Sequence, residues 1–481
     1  MLDRLSNVAI EDIPNILLTT RGTESERLLI YFSSAPAKRI QGVSKLAPYG
    51  QDTIFLRDPR RGWYNLPIKG LARNADELCE QLAERIARYP LDRITMSGSS
   101  MGGYAALLFG TMLGVGRIVA VGPQIILRPE LIHCPKEPAK YDDLTPLISS
   151  KPAHTQIDIW YGAESFLDLF NILRVDPTST IRLHAIPGAM HNVLDTFKRR
   201  GKLEEFFEHV AIGTPFVSLE TATSHAREIL RAGEAFYFES NYRKTIDILS
   251  PIADDANLSA VYFLIGQSHV QVGDLAAARI YLERAVAARH ENYDASYHLG
   301  LTLDKLGKTR GAARAFARCL DYFPSPHAGR LSKLASAQYR LGLFDEAIIN
   351  HQRVIELDPR QTKSHFELGQ MFMKMGRNEE ALSHFQAHAK AIPDFGPTKK
   401  HIQALSRQVS VPAENAPLYP AVRVPAPPVA ALEAPRAARP RWTEAAVFMR
   451  KTFRAVKVFL RLTPSAIISV FELVPMATIS L

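Results

Sequence analysis

The chain has 481 residues, too many for one ordinary hydrophobic core, so its length predicts two or three domains. Its composition, 46% hydrophobic and 22% charged, is that of a soluble globular protein. The net charge of +9 is concentrated at the C-terminus: residues 395–481 hold 12 Lys and Arg against 4 Asp and Glu, which leaves 46 against 45 in residues 1–394. A nearly neutral body excludes a broad nucleic-acid surface, and an electrostatic partner is expected only at the tail, where phosphate affinity would be non-specific.

The three cysteines, Cys79, Cys134 and Cys319, are scattered, odd in number and without a C-x-x-C pattern. We interpret them as reduced thiols of a cytosolic protein, which excludes a disulfide framework and a zinc site. The N-terminal residues 1–15 carry acids early and lack a basic segment followed by an apolar one, so no secretory signal is predicted. The sequence therefore predicts a cytoplasmic protein without a metal or another cofactor.

Residues 1–215 alternate short β-branched segments with helical ones. Because the strand-like segments are almost continuously apolar, they predict a mostly parallel sheet buried between helices on both faces. Helical patterns occupy residues 75–90 and 103–114. The predicted strands are residues 27–34, 52–58, 92–98, 116–123, 156–162 and 181–188.

A candidate nucleophile, Ser100, lies at the end of the third predicted strand. Residues 98–102, GSSMG, fit G-x-S-x-G, and a helix of small and apolar residues follows at once. A nucleophile elbow needs this arrangement, because the serine takes a strained backbone position and the helix N-terminus directs N–H groups at developing negative charge. Neither G-x-G-x-x-G nor a P-loop Lys is present, so a phosphate loop is disfavoured, and a purely structural loop is the alternative.

The serine needs a base within hydrogen-bond reach and an acid that orients this base. In the chain order serine, acid, histidine, both partners are expected after later strands. His191 follows the strand at residues 181–188 in a glycine-containing loop and is the candidate base. His184, inside that strand, and His154, before another, are more typical of packed or exposed positions.

Two acids follow the predicted strand at residues 156–162. Glu164 occupies the short loop just past the strand end, from which it could reach His191. Asp168 also forms a capping box with Ser165, which offers it a purely structural role. We therefore prefer Glu164 as the acid of the triad and keep Asp168 as the alternative.

The oxyanion hole is expected to combine the N–H of Met101 with a second donor from Ser33 or Ser34, in the loop after the first predicted strand. Residues 57–65 follow the next strand and would lie at the same edge of the sheet. Trp63 and Tyr64 in this segment are candidate substrate-binding residues. A surface turn that packs through Trp63 is the alternative.

Residues 25–210 resemble the α/β-hydrolase superfamily of serine hydrolases and acyltransferases, on the strength of residues 98–102, His191 and the acid loop at residues 164–168. The resemblance covers under half of the chain. It implies an eight-stranded type of sheet and an acyl-serine intermediate at Ser100 with His191 as base. The segment after the first predicted strand departs from the H-G-G-G loop of many lipases and esterases, and the resemblance implies no particular substrate.

Residues 225–394 are helix-forming throughout and repeat with a period near 34 residues. The pattern resembles the tetratricopeptide repeat, whose paired helices need small residues where they cross and a proline where a unit ends. A degenerate unit at residues 240–242 brings the predicted number to about five, and the resemblance implies a groove that recruits a protein partner. The repeated positions are Gly273, Gly307, Gly342 and Gly376, then Ala278, Ala312, Ala347 and Ala381, then Pro324, Pro359 and Pro393.

Residues 395–442 are rich in Pro and Ala and are predicted to form a semi-extended linker. Residues 443–481 begin as a basic amphipathic helix and end in an apolar segment, which Glu472 and Pro475 interrupt before it reaches the ~20 residues of a membrane span. Two interpretations of this tail stay open: attachment to an anionic membrane surface, at the inner face of the membrane, or docking on the protein's own repeats or on a partner. The apolar stripe of the helix is Met449, Phe453, Val456 and Leu460.

Two functions follow from these features. The first is a serine-dependent hydrolase or acyltransferase that acts on an ester or thioester through an acyl-Ser100 intermediate, with repeats that recruit a protein partner. The alternative is a non-catalytic scaffold that keeps the hydrolase fold and acts through its repeats. Labelling by a serine-directed probe discriminates between them.

Overall fold

The computed structural model describes residues 9–13, 15–20, 26–35, 39–49, 51–132, 134–216 and 225–408. Within these ranges, residues up to 216 build one mixed β-sheet with its helices. Residues 225–408 are helical and contain no strand among the positions described.

The described part of the sheet has eight strands in the order β1-β2-β4-β3-β5-β6-β7-β8. The pairs β1–β2 and β2–β4 are antiparallel, whereas every pair from β4 to β8 is parallel. Parallel neighbours end at a common edge, and this edge receives the loops after β3, β5, β7 and β8. The strands are β1 (Ala9–Ile13), β2 (Ile16–Thr20), β3 (Leu28–Phe32), β4 (Asp52–Leu56), β5 (Ile94–Ser99), β6 (Arg117–Val121), β7 (Gln156–Gly162) and β8 (Ile181–Ile186).

Strands β3 to β8 fall on the six segments that the sequence predicts as strands. The first two strands, β1 and β2, are not predicted. β1 contains Glu11 and Asp12 and so does not resemble the apolar segment that marks a buried parallel strand, and β2 pairs antiparallel with β1 and β4.

Helices cover both faces of this sheet. Successive side chains of a strand point to opposite faces, and Tyr31 and Phe32 of β3 pack in different directions. Tyr31 joins a cluster that includes Phe197 and Phe206, whereas Phe32 stacks on Phe109 with ring centroids 5.7 Å apart. The helices are α1 (Val43–Leu46), α2 (Ala75–Ile86), α3 (Met101–Leu113), α4 (Thr145–Ser149), α5 (Phe166–Ile172), α6 (Val193–Arg199) and α7 (Leu203–Ile212), with 3-10 turns at Ala47–Tyr49 and Leu91–Arg93.

The second part of the described chain contains five antiparallel helix pairs. Small residues stand where paired helices cross: a Cβ on Gly300 would lie 2.5 Å from the ring of Phe316. Residues 225–408 therefore form an all-helical solenoid of tetratricopeptide repeats, the architecture that the 34-residue period predicts. The pairs are α8 (Ala226–Tyr237) with α9 (Tyr242–Leu249), α11 (Ser259–Gln271) with α12 (Leu275–Ala288), α13 (Tyr293–Lys305) with α14 (Thr309–Tyr322), α15 (Ala328–Arg340) with α16 (Phe344–Leu357), and α17 (Thr362–Lys374) with α18 (Asn378–Ala391); α10 (Ala253–Ala256) and a 3-10 turn at Ser250–Ile252 lie between the first two pairs.

The solenoid ends in one more helix, α19 (Gly396–Ser406), which occupies part of the predicted linker. Pro397 stands in its first turn, where proline is tolerated, and Leu405 is buried in a cluster with Phe385. The prediction of a linker from residue 395 is therefore wrong for these residues, because the helix gains an apolar contact that composition does not reveal. The rest of the predicted linker and the tail at residues 443–481 lie outside the described residues.

Among the helices that the structure describes, none has the length and apolar character needed to cross a membrane.

Candidate active site

Ser100 occupies a sharp turn between β5 and α3. Its backbone dihedrals are φ 53° and ψ −119°, a combination that costs energy for a residue with a side chain. The turn is held by the Ser100 N–H, which donates to Val121 O at 2.7 Å, and by a close approach at Gly102, where a Cβ would lie 2.1 Å from Phe32 O. The side chain of Ser100 is partly exposed, so a substrate can reach its hydroxyl.

His191 lies between Ser100 and Asp168. Its Nε2 is 2.9 Å from Ser100 Oγ, and its Nδ1 is 2.7 Å from Asp168 Oδ1. Because an ionised carboxylate only accepts, Nδ1 carries the proton of the neutral ring, and Nε2 is left to accept from the serine hydroxyl. Three residues that follow three different strands, β5, β7 and β8, are thereby joined in one chain of hydrogen bonds.

Asp168 lies in the first turn of α5, with 3% of its surface exposed. Its backbone N–H donates to the Oγ of Ser165 at 3.3 Å, as a helix cap requires, while its carboxylate contacts His191 and accepts from Gly162 N at 3.3 Å. The helix-capping role and the contact with histidine are thus compatible, because one uses the backbone and the other the side chain.

Glu164, the acid that the sequence analysis prefers, does not contact His191. Its Oε1 accepts from Gly188 N at 3.0 Å and from Arg289 Nε at 3.3 Å, so the carboxylate is directed at the solenoid. Burial raises the pKa of Glu164, and the Gly188 N–H and the Arg289 charge act against this rise. The prediction of Glu164 as the acid of the triad is therefore wrong. The carboxylate that reaches His191 after β7 belongs to Asp168.

The electrostatics of the pair favour a protonated ring. Burial lowers the pKa of His191, but the charge of Asp168 and its hydrogen bond to the ring outweigh this effect, and the pKa stands above the ordinary histidine value. A histidine that carries charge more readily is a stronger base when it is neutral. Asp168 therefore both orients the imidazole and makes it a better proton acceptor.

The expected oxyanion donors are only partly in place. Met101 is the first residue of α3, so its N–H has no partner within the helix and lies directly after the nucleophile. Ser33, by contrast, donates its N–H to Leu56 O at 2.8 Å, and Ser34 donates its N–H to Gln41 Oε1 at 2.9 Å. The prediction of the Ser33 N–H as a donor is therefore wrong, because this group completes the sheet, and the Ser34 N–H can donate to a substrate only after Gln41 moves.

Gln124, a residue that the sequence analysis did not single out, approaches the nucleophile instead. Its Nε2 is 3.4 Å from Ser100 Oγ, and its Oε1 accepts from Trp63 Nε1 at 3.0 Å. An indole N–H can only donate, so Trp63 fixes the amide with its NH₂ group towards the serine. The sequence could have indicated Gln124 by its position. It stands three residues after β6, the strand that pairs with the nucleophile strand β5.

The two aromatic candidates for substrate binding have different positions. Trp63 is connected to Ser100 through Gln124, as described above. Tyr64 is fully buried, and its hydroxyl lies 3.0 Å from Ser33 O and 3.2 Å from Leu56 O. Tyr64 therefore holds the ends of β3 and β4 together. The prediction that it binds substrate is wrong, because its side chain is buried.

His184 and His154 make structural contacts, as their positions in the sequence predict. His184 Nε2 lies 2.8 Å from Asp158 Oδ1, and its ring stacks on Trp160 with centroids 4.1 Å apart. His154 Nε2 lies 2.8 Å from Gly114 O. Within the described ranges, no group of three or more His, Cys, Asp or Glu side chains is placed to hold a metal ion.

The comparisons with known proteins concern the solenoid. Residues 263–320, 300–349 and 332–394 match the family model of the tetratricopeptide repeat. Over 102 residues, 21% of this chain, the sequence is 28% identical to "Tetratricopeptide repeat protein 17" of Homo sapiens, and the match spans only 9% of that protein. The family model identifies residues 263–394 as tetratricopeptide repeats, a class of module that binds protein partners.

Two solved structures are each similar to about a third of this chain. YrrB, described as a TPR protein with an unusual peptide-binding site, is 19% identical, with 33% of this chain and 81% of that chain covered and a TM-score of 0.31. MamA of AMB-1 is 27% identical, with 34% of this chain and 95% of that chain covered and a TM-score of 0.31.

Proposed function

We propose that the protein is a serine-dependent hydrolase or acyltransferase that acts on an ester or thioester through an acyl-Ser100 intermediate, and that its repeats recruit a protein partner. The observation that carries this proposal is the hydrogen-bonded chain from Ser100 Oγ through His191 to Asp168, with separations of 2.9 and 2.7 Å. A nucleophile, a base and an orienting acid within such distances are the requirement for acyl transfer at neutral pH.

In the acylation step, Ser100 Oγ attacks the acyl carbonyl carbon while His191 Nε2 takes the hydroxyl proton. The carbonyl π electrons move to oxygen, and Asp168 stabilises the imidazolium without accepting its proton. The tetrahedral intermediate collapses when the bond to the leaving oxygen or sulfur breaks. His191 returns its proton to this leaving group, and the acyl group remains on Ser100.

In the deacylation step, the same residues act on a second nucleophile. His191 takes a proton from water, which gives hydrolysis, or from an acceptor hydroxyl, which gives transfer. The nucleophile attacks the acyl-serine carbonyl, and collapse of the second intermediate returns the proton to Ser100 Oγ. The choice between hydrolase and transferase depends on which nucleophile occupies the mouth of the site.

The negative charge of both intermediates needs donors next to Ser100. The Met101 N–H at the start of α3 is one, and it is reinforced by the positive end of the helix dipole. We assign the second to the side-chain amide of Gln124, which is oriented towards Ser100 by Trp63. Because this buried donor is already oriented, no reorganisation energy is needed when the charge develops.

The fold agrees with this proposal. The resemblance to α/β hydrolases implies an eight-stranded sheet, and the described part of the chain contains a sheet of this size with Ser100 at the end of β5. The acid and the base follow β7 and β8, in the chain order that the resemblance implies.

A non-catalytic scaffold is the second candidate. It is favoured by the engaged N–H groups of Ser33 and Ser34, the two residues after β3 that were expected to supply an oxyanion donor. It is also consistent with the family matches, which assign an interaction module to residues 263–394. In this candidate the strained serine would be a remnant, and the repeats alone would carry the function.

Labelling by a fluorophosphonate probe tests the two candidates on the full chain. We expect the wild-type protein to be labelled, Ser100→Ala to be inert, and Ser99→Ala to be labelled as the wild type is, because Ser99 is the last residue of β5 and does not contact His191. Matching thermal unfolding curves of the three proteins would exclude misfolding. A wild-type protein that resists the probe while its repeats bind a partner would favour the scaffold.

A further inference from the structure

We propose that the repeats form part of the catalytic unit, because Glu164, held by Arg289 and Asn292 of the solenoid, positions the two loops that carry Asp168 and His191. This inference rests on the proposed function and extends it. It assigns a positioning role to residues of the solenoid, which would otherwise be considered a separate recruiting module.

The two loops are joined to each other through Glu164. Its N–H donates to Ala189 O at 3.0 Å, and its Oε1 accepts from Gly188 N at 3.0 Å. Glu164 is four residues before Asp168 in the chain, and Ala189 is two residues before His191. A displacement of Glu164 would therefore move the acid and the base relative to each other.

The solenoid holds Glu164 at two points. Arg289 Nε donates to its Oε1 at 3.3 Å, and Asn292 Nδ2 lies 3.4 Å from its backbone oxygen. Asn292 is fully buried, and it is itself fixed because its Oδ1 accepts from Ala295 N at 2.9 Å as the cap of α13. The turn between α12 and α13 thus presents a rigid group to the loop that follows β7.

The helix that carries Asp168 is held by the first repeat. Phe170 on α5 packs against Tyr237 on α8, with ring centroids 5.4 Å apart. Arg174, just beyond α5, donates to Glu234 Oε1 at 2.6 Å. Contacts on both the apolar face and the end of α5 prevent this helix from moving independently of the solenoid.

The loop that carries His191 has its own contact with the repeats. Met190, directly before the base, is buried in one cluster with Tyr293 of α13 and Cys319 of α14. Contacts with α8, α13, α14 and the α12–α13 turn therefore surround the two loops. Among the residues that the structure describes, no comparable contact connects the repeats to Ser100, so the solenoid is placed to set the position of the base and the acid relative to the nucleophile.

Because the Glu164 carboxylate is buried, the positions of the two loops should be sensitive to single substitutions among its hydrogen-bond donors. A buried carboxylate needs its donors, and loss of Arg289 leaves Glu164 Oε1 with the Gly188 N–H as its remaining described donor. The loop is then expected to relax towards solvent. A misplacement of about 1 Å at a catalytic group can cost about a hundredfold in rate.

The experiment compares Arg289→Ala, Arg289→Lys and Glu164→Gln in the full chain, with Arg284→Ala as the matched control. Arg284 is on α12, five residues before Arg289, but it pairs with Asp254 inside the solenoid. The first readout is the rate of fluorophosphonate labelling as a function of pH. The second is the titration of the His191 imidazole by NMR, assigned with His191→Gln, which does not depend on catalysis.

We expect Arg289→Ala and Glu164→Gln to be labelled about tenfold to a hundredfold more slowly at the pH optimum. We also expect their His191 midpoint to fall, because a ring that moves away from Asp168 loses the interaction that raises its pKa. Arg289→Lys should recover part of both effects, and Arg284→Ala should match the wild type. Simple destabilisation of the fold would not move the midpoint of the folded protein.

Unchanged labelling and an unchanged His191 midpoint in Arg289→Ala and Glu164→Gln would overturn the positioning role. If the wild type itself resists the probe, the proposed function fails, and the NMR titration still decides the inference. A lowered midpoint would then support positioning of His191 by the repeats in a protein without serine reactivity.

Discussion

His191 Nδ1 lies 2.7 Å from Asp168 Oδ1, although 22 residues separate these two positions in the chain and they follow different strands, β8 and β7. The contact exists because neighbouring parallel strands end at the same edge of the sheet. It fixes the tautomer of the ring and makes the nitrogen that faces Ser100 an acceptor.

Replacement of Asp168 by asparagine should therefore abolish most of the reactivity of Ser100. The amide keeps the size of the carboxylate but stabilises the wrong tautomer and no imidazolium, and the corresponding change in serine proteases costs about 10⁴-fold in kcat. The measurement is the rate of fluorophosphonate labelling at neutral pH. Asp142→Asn, which removes a partner of Arg128 on the same domain surface, is the control and should label normally. Similar rates for the two variants would contradict the assignment of Asp168.

The pH dependence of labelling should report the state of His191. The ring must be neutral to accept the Ser100 proton, so the rate should rise with pH and level off above the pKa of His191. Because Asp168 raises this pKa, the midpoint of the wild type should lie above the ordinary value of about 6.5. Whatever residual reactivity Asp168→Asn retains should show a lower midpoint. A wild-type midpoint below the ordinary value would show that burial outweighs the carboxylate.

Gln124→Leu should slow labelling by about a hundredfold, the cost of removing one oxyanion donor, because leucine keeps the buried volume but has no amide. Trp63→Phe should have a smaller effect in the same direction, since Gln124 would keep its NH₂ group but lose the hydrogen bond that orients it. The assay is single-turnover labelling with the His191 midpoint as a second readout, which should stay unchanged in both variants. A wild-type rate in Gln124→Leu would return the search for the second donor to Ser34.

Gly102→Ala should destabilise the domain by about 2–4 kcal/mol. The added Cβ would lie 2.1 Å from the carbonyl oxygen of Phe32, which is backbone and unable to move aside cheaply. The measurement is the midpoint of thermal unfolding. Gly396→Ala is the matched control, because a Cβ at that position meets nothing within 4 Å and its backbone needs no positive φ. Equal unfolding midpoints for both variants would show that the elbow has more room than the structure indicates.

The regular parts of the fold could be predicted because local patterns determine them. Strands β3 to β8 are rich in apolar and β-branched residues, and the helix pairs repeat small residues at a fixed period, so the local sequence pattern is sufficient to predict them. The hairpin of β1 and β2 was missed because β1 carries two acids and because neither strand belongs to the parallel part of the sheet. The helix α19 was missed because its apolar anchor, Leu405, stands at the border of a Pro- and Ala-rich segment.

Only part of the candidate site could be predicted, because local patterns place the loops but not the direction of each side chain. Ser100 and His191 follow from the strand–loop order, but the choice between Glu164 and Asp168 depends on where each side chain points after the turn. Glu164 points to Arg289, 125 residues later, and no pattern near the loop records that contact. Gln124 was missed because its orientation depends on Trp63, a second long-range contact.

The end of the solenoid offers a last test, at Leu405 of α19. This side chain is 2% exposed and packs in a cluster with Phe385 and Leu368, so Leu405→Ala should destabilise the terminal repeat by about 2–5 kcal/mol, the usual cost of a buried leucine. Repeat arrays lose structure from their ends, so the effect should appear as faster amide hydrogen exchange in α18 and α19, with the exchange of α3 unchanged. Ile392→Ala is the control, because Ile392 is 41% exposed in the same region and its truncation removes little buried surface. If exchange in α18 were the same in both variants, α19 would not act as the cap of the solenoid.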